Sequence, residues 1–155
     1  MDSGALILIL TLGLVLLLFS FLRGRGGVRH RPEVVQSLLY DVRLNQALIE
    51  TFYQREKPRR FERTNWEMNK SKIGFLGESL KETLTMTFAA VEDLNREIKY
   101  IKRSKLSHMD INVTKLKEPL AKCRQGLEDW MMDNLGTTEV SPRYPSLTGF
   151  LFGER

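Results

Sequence analysis

From Ser3 to Leu22 the chain carries no charged residue, and the run GALILILTLGLVLLLFSFL inside that window is Leu-rich throughout. A helix needs about 20 predominantly apolar residues to cross roughly 30 Å of hydrocarbon. The run is long enough, with little slack. A helix buried in a protein core would normally keep a polar face, and this run has none. A cleaved leader would need a basic start and small residues at a cleavage site. Met1-Asp2-Ser3 has no cation, and Phe21-Leu22-Arg23-Gly24-Arg25 has no small-residue pattern. The expectation is an uncleaved signal-anchor over 1–22.

The run ends at a cationic collar of Arg23, Arg25, Arg29 and Arg31, interleaved with glycines that make residues 23–31 a hydrated hinge. Lys and Arg close to a span stay on the cytoplasmic side. The N-terminus is therefore expected outside, and everything beyond Arg23 in the cytoplasm. The sequon Asn112-Val113-Thr114 would go unused there, and the lone Cys123 builds no disulfide framework. Charge is distributed to match. The formal net charge is +5, and four arginines against Asp2 place +3 of it in residues 1–31. Each such cation near an anionic leaflet is worth about 1 kcal/mol, so membrane lipid is the first expected partner.

Beyond the collar the apolar period is helical. Pro32 and Glu33 suit a first turn. Val35, Leu38, Leu39, Val42, Leu48, Ile49 and Phe52 make a stripe, and Lys57-Pro58 should end this helix near residue 56. A second helix is expected over 64–105, opened by the capping box Thr64-Asn65-Trp66-Glu67. Its seam is Leu80, Leu84, Thr87, Val91, Leu94, Ile98 and Ile101. Gly74 and Gly77 interrupt its first half at about 1 kcal/mol each. The expectation is continuity with a kink, although Ser79-Leu80-Lys81-Glu82 offers a second capping box. A third helix over 112–135 has the seam Val113, Leu116, Leu120, Cys123, Leu127 and Trp130, ended by Gly136. Residues 136–155 read as an extended or disordered tail.

The fold class is therefore all-α: one N-terminal transmembrane helix, then a small cytoplasmic three-helix bundle or hairpin with coiled-coil-like packing. Phe61, Trp66, Phe75 and Met86 are left as candidates for exposure.

Chemistry is sparse. Ser107, His108 and Asp110 supply the letters of a hydrolase triad, but they sit together in a turn, where such residues cap and meet solvent. His30, His108 and Cys123 have no metal-ligand spacing, Cys123 falls on the apolar seam, and no phosphate-binding loop follows a strand. No enzyme activity, cofactor, metal or small-molecule substrate is expected.

Two features invite partners. The basic joint holds Arg55, Lys57, Arg59, Arg60, Phe61 and Arg63, with Trp66 close by. Such a cluster can contact phosphates and stack bases, or touch lipid or a partner. The tail carries Leu147, Phe150, Leu151 and Phe152 among polar neighbours, a docking peptide for the bundle itself or for a partner. The favoured function is a protein-interaction, scaffold or accessory subunit at the cytoplasmic membrane face, its partner another protein or a second copy. The alternative is a membrane-tethered nucleic-acid-binding or regulatory module using the 55–63 joint.

Overall fold

A computed structural model of the chain describes residues 30–139. The apolar run, the collar arginines Arg23, Arg25 and Arg29, and the tail residues Leu147, Phe150, Leu151 and Phe152 lie outside that range. Two compact units divide the chain, Met1–Pro32 and Glu33–Arg155, and the architecture below is that of the second.

Its helices are α1 (Arg31–Thr51, opened by the collar's last arginine), α2 (Thr64–Asn69), α3 (Glu78–Ser104) and α4 (Lys117–Leu135). Short 3-10 turns stand at Ile73–Phe75, His108–Asp110 and Thr114–Leu116. The four helices pack against each other around one apolar core. Among the described residues there is no strand, and no helix is long and apolar enough to cross a membrane.

The α3–α4 hairpin follows the apolar spacing closely. Leu84, Thr87, Val91, Leu94, Ile98 and Ile101 are buried on α3, joined by Phe88. On α4 the buried side chains are Leu120, Cys123, Leu127 and Met131. The seam passes through Met131 rather than the expected Trp130. A straight helix turns 3.6 residues, so a strict 3-4 stripe drifts off the contact line within a few turns. Trp130 packs instead on Phe75, ring centroids 5.3 Å apart. Gly126 leaves room for the Leu80 side chain: a Cβ there would meet Leu80 Cδ1 at 2.7 Å.

Helix α1 is buried on more than one side. Val35, Leu38, Leu39, Val42, Leu48 and Ile49 are in the core as expected, but so are Ser37, Asp41 and Asn45. The helix stops at Thr51 rather than near residue 56. Phe52 donates its amide to the Ile49 carbonyl at 3.2 Å in a tightened last turn and is itself buried, and the Tyr53 hydroxyl reaches the Ile111 carbonyl at 2.6 Å. Those contacts turn the chain before Pro58 does.

The expected single helix over 64–105 is two. Between α2 and α3 the chain buries Ile73 and Leu76, and Leu76 is extended at φ −75°, ψ 154°. Burying two aliphatic side chains outweighs the few helical hydrogen bonds that a glycine-weakened segment would make. Neither capping box forms. The first turn of α2 is capped by Glu62, which accepts from the Arg63 and Thr64 amides at 2.9 and 2.8 Å, and by Asp41, which accepts from the Trp66 amide at 3.0 Å. Gly77 precedes α3 with no side-chain cap. In the last helix, a 3-10 turn at Thr114 precedes the α-helix from Lys117. Pro119 falls in its first turn, where an amide would have no intrahelical partner.

Candidate functional site

A polar stripe at four-residue spacing on α1 builds the surface around the basic joint. Asn69 Nδ2 donates to Ser37 Oγ at 3.0 Å, and Asn65 Nδ2 to Asp41 at 2.7 Å. Asn45 donates to the Glu62 carbonyl at 2.8 Å and accepts from the Glu62 amide at 2.6 Å. From the other side, Asn95 of α3 accepts from the Phe61 amide at 2.7 Å and donates to the Phe61 carbonyl at 2.9 Å. Two asparagines thus grip consecutive residues of the joint much as neighbouring strands would. Buried backbone groups need partners, and these supply them.

The grip draws Phe61 inside, stacked on Phe52 with centroids 6.0 Å apart. Trp66 is also buried, stacked on Phe88 at 4.8 Å. Both were candidates for exposure and for base stacking, and neither presents its ring to solvent. Of the other two candidates, Phe75 is half-buried and Met86 is exposed.

The cations of the joint face outward and run antiparallel to α3. Arg63 pairs with Glu67 at 2.6 Å and with Glu92 of α3 at 3.1 Å. Arg96 pairs with the same Glu92 at 3.0 Å. Its hydrogen bond from Arg96, with the charge of Arg63 behind it, holds the Glu92 carboxyl below the usual range. Arg60, Arg63, Arg96 and Lys99 line one groove along this seam. Lys57, Lys102 and Lys105 line the next, with Ile101, Leu106 and His108. Arg59 is exposed, and Arg55 lies half-buried with Nε 3.4 Å from Thr51 Oγ1. Reading the joint alone missed the α3 cations. Their signal was the run KRSK after Lys99, which places Lys102, Arg103 and Lys105 close together at the end of a long helix.

Burial lifts the Asp41 carboxyl to about 6, because the hydrogen bonds from Asn65 and Trp66 only partly offset it. Burial also pushes Glu62 up, but bonds from Thr64 and the Arg63 amide outweigh it and leave that carboxyl low. The Cys123 thiol, raised to about 11 by burial, contacts Thr87 Oγ1 at 3.3 Å. It is a packed core group rather than a nucleophile.

Ser107 accepts from the Met109 amide at 3.2 Å and acts as a turn cap. His108 packs edge-on to Phe52, centroids 5.8 Å apart, and its buried Nε2 has no hydrogen-bond partner. Among the described residues no three His, Cys, Asp or Glu side chains converge to hold a metal. After α4 the chain crosses to α1, where Arg43 donates to the Thr138 carbonyl at 3.3 Å and pairs with Glu128 at 2.8 Å. The last described residues therefore lie beside α1. In comparisons with known proteins, no protein-family profile, no curated protein and no solved structure matches this chain.

Proposed function

We propose that this chain is a single-pass membrane-anchored module whose helical bundle binds other protein chains, or a second copy, at the cytoplasmic face. The observation that carries the reading is the order of features. An uncharged run over 3–22 stops at four arginines and leads directly into a helix that opens at Arg31. That order fits a span with its positive flank inside. The residues brought together at the joint support binding rather than bond-making: cations, capping carboxylates and amides, with no nucleophile beside a base. Met68, Met86 and Met132 are exposed large apolar groups on three different helices, and the tail adds Phe150 and Phe152. Methionine-bearing surfaces suit protein partners.

The alternative, a nucleic-acid-binding module at the joint, draws on the same cations. It loses its stacking platform, since Phe61 and Trp66 are buried.

The test uses native membranes. The full chain should resist alkaline carbonate extraction, and protease added outside intact cells should leave the 58–63 joint uncut. Crosslinking followed by affinity capture should return a defined protein or a dimer, and capture should weaken when 147–152 is deleted. Extraction into the supernatant, or cleavage of the joint from outside, would overturn the anchored reading. Neutralising Arg23, Arg25, Arg29 and Arg31 together should scramble the orientation.

A further inference from the structure

Beyond the collar, the fold brings the basic joint and the cations at the end of α3 together. Asn95 holds Phe61 against α3 and Arg63 reaches Glu92, so the joint lies along that helix, and two cation-lined grooves follow each other down one seam. The acidic groups in those grooves are Glu56, Glu62 and Glu92. Two are already committed: Glu62 caps α2, and Glu92 pairs with Arg63 and Arg96. Lys57, Arg60, Lys99, Lys102 and Lys105 are exposed. This face therefore keeps a net positive field that its own carboxylates do not cancel.

The seam ends at the turn joining α3 to α4, which exposes two large apolar side chains beside the polar Ser107 and Asp110. Leu106 and Met109 are each 58% exposed. Leu106 lines the same groove as Lys57, Lys102 and Lys105. The turn is thrown outward by Lys105, whose backbone is left-handed at φ 55° while the Leu106 amide returns to the Ile101 carbonyl at 3.2 Å. Glycine takes that conformation without strain. Here a lysine occupies it, adding a cation where an unstrained residue would add none.

We infer that the joint–α3 seam and the tip of the α3–α4 turn form one docking surface for an anionic lipid bilayer. An apolar protrusion rimmed by lysines is what such an interface asks for. The protrusion enters the headgroup layer while the cations meet the negative surface. At 1.5 Å per residue, Lys99 stands about 9 Å along the helix from Lys105, within roughly one Debye length of a surface that the tip touches. Nucleic acid would use the cations but has no use for Leu106 and Met109. The inference is independent of the N-terminal run, because it concerns the environment of the tip alone.

The test labels the full chain at the tip. Met109→Cys is coupled to a polarity-sensitive fluorophore; Cys123 is buried and stays in place unlabelled. Vesicles of phosphatidylcholine with phosphatidylserine should shift the emission to the blue. Phosphatidylcholine alone should not, and half-molar salt should abolish the shift. Removing Lys102 or Lys105 as Lys102→Ala or Lys105→Ala should lower the ratio of docked to undocked tip about fivefold each. The same label at Met132→Cys should stay unshifted. Both lysines are exposed, so the variants should keep wild-type circular dichroism. An unmoved Met109 label, an equal shift in neutral vesicles, or a shift that survives Lys102→Glu/Lys105→Glu would overturn the inference. So would a response to nucleic acid with none to vesicles. Carbonate extraction reports separately on the anchor, so the two readings fail by different results.

Discussion

The α3–α4 hairpin and the half made of α1, the joint and α2 are built by different physics. In the hairpin, stripes of aliphatic side chains meet, and Leu84, Val91, Leu94, Ile98, Leu120 and Leu127 are fully excluded from solvent. The other half has an aliphatic stripe on α1 too, but adds side chains that grip backbone: Asn45 and Asn95 hold residues 61 and 62, while Asp41 and Glu62 cap α2. The first kind of contact is non-directional and forgives shape. The second depends on geometry, and each lost partner leaves a backbone group unsatisfied. A basic loop that looks solvated can in this way be one of the most tightly specified parts of a fold.

The largest effect should come from breaking the hairpin. Leu94→Asp or Leu127→Asp puts an unpaired charge at a position with 0% exposure, at a cost of about 3–5 kcal/mol. The full chain in mild detergent should lose helical circular dichroism or its cooperative melting. Wild-type melting by both variants would refute the seam.

Asn45→Ala and Asn95→Ala attack the other half, and each should cost about 2 kcal/mol in urea unfolding. They hold adjacent residues, so the double variant should cost less than the sum, since a segment freed by one loses less to the other. Full additivity would mean that the two asparagines stabilise separate things.

Asp41 sharpens the contrast through pH. Its carboxyl titrates at about 6 in the fold against ~3.9 in an unfolded chain, so the native state binds the proton more tightly. Its contribution to stability is complete below about pH 4 and is lost as pH rises through about 6. Relative to Asp41→Asn, the wild-type chain should gain about 1–2 kcal/mol between pH 7 and pH 5. Parallel pH curves for the two would show that Asp41 is not buried as described.

The smallest effect is at the turn. Lys105→Gly relieves a left-handed lysine and should stabilise by about 1 kcal/mol or less, read from the urea midpoint. A loss of stability would mean that Lys105 makes a compensating contact.

The same division decides what the sequence could reveal. The helical period is written in side-chain polarity, so α3, α4 and the apolar side of α1 are legible, apart from the step from Trp130 to Met131. Ser37, Asp41 and Asn45 also recur at four-residue spacing, but polar residues at that spacing normally mark a solvated helix face. Only a partner segment 17 to 32 positions away turns them into core, and composition does not announce which segment that is. Phe61 and Trp66 were misplaced for the same reason. Glu67, expected to reach back to the Thr64 amide in a capping box, pairs with Arg63 and Lys70 instead, and Glu62 takes that amide. The cations of the joint were legible by type. Their continuation along α3 was not, because it depends on how the joint is laid down.

Amide hydrogen exchange at Phe61 and Glu62 tests most directly whether the joint is a built element rather than a loop. Both amides donate to asparagine side chains, at 2.7 and 2.6 Å. They should be protected to the same degree as interior amides of α3, and Asn45→Ala/Asn95→Ala should release them while α3 stays protected. Exchange in the wild-type chain as fast as at exposed Arg59 and Arg60 would contradict the account.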